Sequence, residues 1–522
     1  MAAHETGTRR IARAASVVMV GMALSSLTGL AATVLISGAF GTSSELDSFS
    51  AANRLTEILF NLMAGGALAS AFVPTFTGFL ARDDRSGAWR LASSIGNLIL
   101  IVLGSAALLA SIFAPALVRY VLAPGFRDPA QIQLTVQLMR IMLISPVIFA
   151  LSGLLMGILN AQQHFALPAL APASYRLGQI LGLLFLVPRW GILGLAWGVV
   201  LGSLLHLAAQ LPALARYPLR YRLTLGLGDT ATRLVGALML PRLLGVAVVQ
   251  LNFLVNTILA SGMPEGSLAA ITLAFALMIM PQAVLAQSTG IAALPTFSAQ
   301  VARGEQAAFR TAVTDTLRAL VFLALPASLG LILLREPLVA LLLQRGAFTG
   351  DSTHLVAWAL LWYAAGLVGH SLLEIAARAF YALQDTRTPV LVGAGAMGLN
   401  VVLSLTFASL FPRWGWMPHG GLALANSLAT ALECILLLVL LGRRIGGLEG
   451  ARLRPGLMAT LGAGAAMVLG LAIWVRLTAA APWVAGGGGI VLGVLIYFGA
   501  AQALGAPEAR RAWAMLARKG RG

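Results

Sequence analysis

Apolar runs of about 20 residues, each long enough to cross a bilayer as one helix, recur along this 522-residue chain with short polar stretches between them. Fourteen such runs begin near Ala14, Arg54, Trp89, Leu134, Leu167, Gly191, Leu234, Ser267, Thr311, His354, Pro389, Gly420, Pro455 and Pro482. The pattern predicts an all-α polytopic membrane protein of about 14 transmembrane helices. Pro74, Pro146, Pro241, Pro281 and Pro295 interrupt individual runs and mark expected kinks. The first run resembles a signal peptide, and Thr8-Arg9-Arg10-Ile11 faintly resembles a twin-arginine signal. No convincing cleavage site follows it and thirteen further runs do, so it reads as a membrane anchor.

Composition strengthens this picture. Apolar residues make up 59% of the chain, charged residues 10%, and mean hydropathy is +0.89. Soluble chains carry about 25% charged residues, so most of this surface must face lipid. A soluble enzyme, a nucleic-acid-binding domain and a disordered scaffold are excluded. The net charge of +17 would suggest nucleic acid in a soluble chain. Here all the basic residues except Lys519 are arginines, and most sit in short loops, where they act as topology signals and contacts for anionic lipid. With fourteen spans, the side holding both termini collects 21 of the 35 basic residues and the opposite side 7, so both termini are expected in the cytoplasm. The single Cys434 excludes disulfides, and the six histidines form no metal-ligand pair. No catalytic set and no cofactor are expected.

A parallel duplication runs through the chain. Val73-Pro74-Thr75-Phe76 with Ala81-Arg82 returns in the second half as Leu294-Pro295-Thr296-Phe297 with Ala302-Arg303, and Ala161, Gln163 and Pro168 return at the same offset as Ala382, Gln384 and Pro389. Pro188-Arg189-Trp190-Gly191 returns as Pro412-Arg413-Trp414-Gly415, and Thr33-Val34-Leu35 with Ser37-Gly38 as Thr257-Ile258-Leu259 with Ser261-Gly262. Six spans per copy give both copies the same orientation. The expected organisation is an N-terminal six-helix lobe over 1–222, a C-terminal six-helix lobe over 223–445, and a two-helix hairpin with a basic tail over 446–522. Two such lobes around a central cavity form a transporter that works by alternating access.

The residues also resemble the MurJ (MviN) family of lipid II flippases, within the multidrug/oligosaccharidyl-lipid/polysaccharide exporter superfamily. The likeness rests on Asp47-Ser48-Phe49 with Ala71-Phe72-Val73-Pro74, on Pro124-Gly125-Phe126, and on Gln137-Leu138-Met139-Arg140-Ile141-Met142. Ile158-Leu159-Asn160, Leu195-Ala196-Trp197-Gly198-Val199 and Arg345-Gly346-Ala347-Phe348-Thr349 extend it, together with the run from Ala379 to Pro389 that contains Gln384-Asp385-Thr386-Arg387-Thr388. The resemblance implies an inner-membrane flippase that moves an undecaprenyl-diphosphate-linked peptidoglycan precursor from the inner to the outer leaflet, making and breaking no bond. It also implies a groove for the lipid tail at the extra helix pair. The family's cavity arginines are absent: the aligned positions hold Ser26, Ala32, Phe60 and Ala276, and its acidic position is Gly65. Of that cavity set Asp47 is retained. Two alternatives therefore stand beside the flippase: an exporter of another polyprenyl-linked glycan or an amphipathic drug, and a non-transporting scaffold for cell-wall synthesis.

Charged residues inside spans are costly and hence candidates for function. Arg54 and Glu57 lie three apart on one helical face with Asn61 near them, and Arg242 follows Pro241 in an interrupted span; with Asp47 they form the candidate substrate-binding set. A local Arg54–Glu57 pair and a snorkelling Arg242 are the structural readings. Glu374 and Arg378 are spaced to pair with each other, and Arg140 and Arg176 read as structural at span ends. Asn256, Asn400, Asn426 and Thr430 are a candidate cation site for Na+, against plain interhelical hydrogen bonding. Na+ or the membrane potential would be the coupling force, membrane lipids the surroundings, and the chain monomeric. Gly393-Ala394-Gly395-Ala396-Met397-Gly398 fits GxGxxG but lies in an apolar run with no preceding strand, so close helix packing explains it.

Overall fold

Lipid offers no partner to a backbone N–H or C=O, so a chain this apolar must satisfy its backbone within each spanning segment. Among the described residues the regular structure is helical, with no strand. The computed structural model describes residues 2–64, 67–217, 221–478 and 481–510; the side chains of 2–20, 63, 64, 67, 69, 70, 241, 242 and 244 lie outside that description. The chain divides into two compact units, Met1–Glu265 and Gly266–Gly522. In the first are α1 (Ala2–Phe40), α2 (Ser44–Ala64), α3 (Ala67–Ala81), α4 (Arg85–Ile112), α5 (Pro129–Met142), α6 (Ile144–Ala161), α7 (Ala166–Leu181), α8 (Ile192–Ala208) and α9 (Thr230–Ser261). The second holds α10 (Ser267–Gln282), α11 (Ser288–Ala302), α12 (Gln306–Leu333), α13 (Gly350–Ala365), α14 (Leu367–Ala382), α15 (Arg387–Arg413), α16 (His419–Ile445), α17 (Gly450–Thr478) and α18 (Gly489–Ala503).

Among the described residues, eleven helical segments are long and apolar enough to span a membrane, and thirteen if each of two bent pairs is one span. One pair is α13 with α14, bent by 44° at Gly366; the other is formed by the two parts of α9, Thr230–Leu240 and Gly245–Ser261, on either side of Pro241. Fourteen spans were expected. The segment expected from Arg54 is helical, but α2 carries Glu45, Asp47, Arg54 and Glu57, too many charges for an apolar span.

Local chemistry sets the helix starts. The Asp84 carboxylate accepts the Gly87 N–H at 2.8 Å to open α4, and Asp128 accepts the Ala130 N–H at 3.0 Å, with Pro129 at the first turn of α5. Between helices, left-handed residues recur in the register of the duplication. Asp83 (φ 55°) and Gly304 (φ 71°) hold matching places in the two copies, as do Gln163 (φ 59°) and Gln384 (φ 58°), and the repeated Pro-Arg-Trp-Gly segments end in Gly191 (φ 54°) and Gly415 (φ 74°).

Each unit has its own core. In the first, Phe72, Phe76, Trp89, Ile95 and Leu154 pack together, and α9 lies against α2 and α3. In the second, Phe297, Phe309, Leu317, Phe380 and Leu437 form one cluster, and Phe322, Met467, Leu471 and Tyr497 fasten the α17–α18 hairpin to α12. The hairpin is also held by charge. Arg318 on α12, 7% exposed, pairs with Glu508 beyond α18, donates to the Arg452 carbonyl at 2.9 Å and lies 3.4 Å from Asp315. Large apolar side chains such as Leu108, Leu391 and Leu469 are left exposed, as a lipid-facing surface requires.

Candidate functional site

Residues three, four and seven apart share one face of a helix. On α2 that spacing places Asn53, Thr56, Glu57, Phe60 and Asn61 along one stripe, and on α7 it places Pro172, Tyr175, Arg176 and Gln179 along another. The two stripes, with Ser25 of α1, Phe149, Gly153 and Met156 of α6 and His206 of α8, line a cavity of about 430 Å³ inside the first unit. Two hydrogen-bonded chains run along its walls. Glu57 accepts from Asn53 Nδ2 at 2.8 Å and from Arg54 Nη1 at 2.7 Å. Across the cavity Arg176 donates to Gln179 Oε1 at 3.0 Å, and Gln179 Nε2 donates to the Tyr175 hydroxyl at 3.1 Å. Phe149 is the apolar post between them, meeting Phe60, Tyr175 and His206 edge to face. His206 is itself held by Ser152 at 2.7 Å, and Gln210 donates to the same Ser152 oxygen at 2.6 Å.

The sequence-derived candidates take different places around this cavity. Glu57 and Asn61 line it. Arg54, one residue off the lining stripe, turns toward α9, where Nε donates to Thr257 Oγ1 at 3.1 Å and the guanidinium lies 5.4 Å from the Phe253 ring. It neutralises Glu57 from behind, so the local pairing expected from the i,i+3 spacing is present. Asp47 is buried two turns earlier on α2. Arg242 lies outside the described side chains. Arg176, which span position alone marks as structural, lines the cavity instead. The signal in the sequence is the stripe itself: Tyr175, Arg176 and Gln179 are polar residues on one face of an otherwise apolar helix.

The positions aligned with the family's missing arginines are structurally ordinary. Ser26 returns its hydroxyl to the Met22 carbonyl at 2.9 Å, Ala32 is buried, Phe60 packs on Phe149 with centroids 4.7 Å apart, and Ala276 is half-buried on α10. Gly65 is outside the described residues.

The second unit contains a cavity of about 450 Å³ with an almost wholly apolar lining. Leu277, Pro281, Leu285, Leu323, Leu334 and Met467 are among its lining residues, and α18 contributes Val494, Tyr497 and Phe498. The Tyr497 hydroxyl donates to the Phe322 carbonyl at 2.7 Å, which leaves only its ring for the cavity. Elsewhere in this unit a polar seam runs between α14, α15 and α16. His370 Nε2 meets Asn426 Oδ1 at 3.1 Å, Ser404 donates to Asn400 Oδ1 at 3.1 Å, and Thr430 and Glu433 are buried beside them on α16. Asn400, Asn426 and Thr430 therefore share two neighbouring helices, while Asn256 belongs to the first unit. Among the described residues no three His, Cys, Asp or Glu side chains gather into a metal site. Gly393, the first glycine of the GxGxxG run, lies within α15, where an added Cβ would come within 3.1 Å of Glu433 Oε1, so it serves close packing.

Outside the spans, two carboxylates of the second unit are held ionised. Asp385 accepts the Thr388 N–H at 3.0 Å and the Thr388 hydroxyl at 2.7 Å, and Arg444 closes on the same group. The Thr388 backbone bond is the main reason its pKa falls below the ordinary aspartate value. Glu449 is lowered first by the Thr311 hydroxyl, 2.8 Å away, and then by Arg452 and Arg310. These contacts join the start of α15 to the end of α16, and the start of α12 to that of α17.

This architecture has known counterparts. The family described as Lipid II flippase MurJ matches residues 36–488. The probable lipid II flippase MurJ of Bdellovibrio bacteriovorus is 31% identical over 518 residues, 96% of each chain. The lipid II flippase MurJ of Burkholderia cenocepacia is 32% identical over 428 residues, 81% of this chain and 82% of that one. Among solved structures, lipid II flippase MurJ in an inward closed conformation superposes with a TM-score of 0.80 at 23% identity, covering 93% of this chain and 98% of its own. An inward-facing MATE transporter of the MOP superfamily gives 0.69 at 17% identity, covering 83% and 99%. Both of these structural likenesses are of fold.

Proposed function

The chain belongs to the lipid II flippase MurJ family, and from that premise we propose that it carries a polyprenyl-diphosphate-linked peptidoglycan precursor from the inner to the outer leaflet by alternating access. It is a multi-pass membrane transporter and not an enzyme. The observation that carries the reading is the first-unit cavity, whose mixed wall sets polar side chains among apolar ones and where Arg176 is the one arginine among the described lining residues. A guanidinium offers paired N–H donors to diphosphate oxygens, and Gln179 and Tyr175 hold this one in place. Asn53, Asn61 and Glu57 face it with groups suited to sugar and peptide. Arg54 and Asp47 support α2 in this reading, with Arg54 paired to Glu57.

The apolar cavity of the second unit suits a polyprenyl tail. Moving a tail from lipid into a protein groove brings no hydrophobic gain, because lipid is equally apolar; the groove would orient the tail, while the head determines affinity. The lobes over 1–222 and 223–445, with the hairpin over 446–522, are proposed as the moving parts, and both termini as cytoplasmic. The potential, worth about 2.3 kcal/mol per charge per 100 mV, would help return an emptied cationic cavity inward. Na+ at the seam of Asn400, Asn426 and Thr430 is the proposed alternative drive, and the monomer the working unit. A second reading is favoured by the lone cavity arginine: export of another polyprenyl-linked glycan whose head needs fewer cationic contacts.

The test is complementation of a bacterium depleted of its own lipid II flippase. Rescue by the wild-type chain, lost in Arg176→Ala with the protein still inserted, is the expected result. Failure of the inserted wild-type chain would leave the glycan-export reading standing.

A further inference from the structure

A second basic pocket is built from other helices of the first unit. Arg119, Arg127 and Arg140 line a cavity of about 850 Å³ there, together with Tyr120 and Gln133, and none of its described lining residues is a carboxylate. Among the described residues none of the three arginines forms an ion pair. Arg140 is aimed by its Nε, which donates to the Ser111 carbonyl at 3.1 Å, and the Arg119 guanidinium lies 5.8 Å from the Tyr120 ring. The frame is stiff: Pro115, Pro124 and Pro129 are part of the lining. The loop behind it is pinned where the Gly125 N–H donates to Ser261 Oγ at 3.0 Å, with Gly125 so close to the Gly262 backbone that no side chain fits between them.

Unpaired arginines on this face run against the usual economy of membrane proteins. Given the cytoplasmic termini proposed above, the loop between α4 and α5 faces outward, where basic residues are disfavoured. The chain places seven of its 35 basic residues in such loops, and Arg119 and Arg127 converge here with Arg140. Ile112, Phe113, Tyr120 and Val121 are exposed beside the pocket, the pattern of a segment at the depth of lipid headgroups. We propose that this pocket binds the phosphate group of a lipid headgroup at the membrane surface, with the lipid's chains lying against the exposed apolar residues. The phosphate can come from an anionic phospholipid or from a polyprenyl diphosphate; the arginine geometry serves both.

The experiment uses the full chain in detergent with Cys434→Ser and a fluorophore on Phe113→Cys, exposed beside the pocket and outside its lining, titrated with dihexanoyl phosphatidylglycerol, dihexanoyl phosphatidylcholine and farnesyl diphosphate. Charge-assisted hydrogen bonds predict that at least one anionic probe binds roughly tenfold or more tighter than phosphatidylcholine. Which of the two does so identifies the source. Arg119→Gln with Arg127→Gln, which keeps the side-chain stems, is expected to abolish the preference, while Arg189→Ala, exposed outside the pocket, keeps it. Equal affinity for all three probes, or an unchanged preference in the double variant with the melting curve intact, would overturn the proposal. Labelling of the same Phe113→Cys by an impermeant maleimide in intact spheroplasts tests the orientation separately. Labelling only after lysis would refute the cytoplasmic termini and leave the binding result standing.

Discussion

The two units use the same helix face to build one cavity with polar side chains in its wall and one that is almost wholly apolar. On α2 the stripe Asn53, Glu57 and Asn61 lines the polar cavity of the first unit. Shifted by the interval that separates Thr33 from Thr257, the same stripe becomes Leu277, Pro281 and Leu285, which line the apolar cavity of the second. Duplication supplied one geometry twice, and the same three positions on one face carry polar side chains in one copy and apolar ones in the other. The hairpin completes the contrast: α18 adds Val494, Tyr497 and Phe498 to the apolar cavity only.

The sharpest way to break this contrast is at the joint that holds the hairpin. Arg318→Ala strips the counter-charge from buried Glu508, and removal of one partner of such a pair costs about 3–5 kcal/mol. A fall of several degrees or more in the melting temperature of the purified protein is expected, and an unchanged value would mean that the apolar contacts of Tyr497 and Met467 suffice. Leu277→Asn with Leu285→Asn comes next. It copies the first unit's stripe into the second, at about 1–3 kcal/mol for each buried unsatisfied amide. Complementation should fail while membrane insertion persists; normal growth would show that the polarity of this groove does not matter.

Arg176→Ala and Arg54→Ala separate lining from support within the first cavity. Loss of a charge-assisted contact predicts a roughly tenfold or larger drop in flipping rate for Arg176→Ala. Arg54→Ala should act mainly on stability, by about 1 kcal/mol or less, because its partner Glu57 is 43% exposed. Equal rate losses would place both residues on the transport path. The smallest expected effect contrasts the duplicated turns, where His164 occupies the place of Asp385. The folded-state pKa of Asp385 lies below its ordinary value of 3.8, so its contribution is full above that value and is lost as pH falls through the lower one. Asp385→Asn should therefore be slightly less stable at neutral pH and flatten the acid decline below about pH 4, as read from melting temperature against pH.

What could be read in the sequence was what is local. An apolar run of about 20 residues specifies a spanning helix by itself, and Arg54–Glu57 and Glu374–Arg378 pair at 2.7 Å each because one helical turn brings them together. The polar character of α2 blurred one span, since four charges inside a helix contradict an apolar average. Arg318 and Glu508 are 190 residues apart, and nothing near either announces the other. Arg176 was obscured by its place near a span end, where snorkelling is the common fate of an arginine; only the face it shares with Tyr175 and Gln179 reveals its direction. The set Asn256, Asn400, Asn426 and Thr430 joined residues by type, and the fold divides them between units.

The left-handed turns give this molecule a chronology. A glutamine at positive φ is uncommon and carries a steric penalty, yet one sits at Gln163 and another at the matching place of the second copy, Gln384. Asp83 and Gly304 share a second such turn in the same register. Two independent acquisitions of the same awkward residue at the same register are far less economical than one inheritance. The turns therefore predate the copying of the ancestral half, whereas at least one of the two linings, which differ between the halves, was rewritten afterwards. The loops of this protein keep the mark of the common ancestor, which the cavity linings have lost in at least one half.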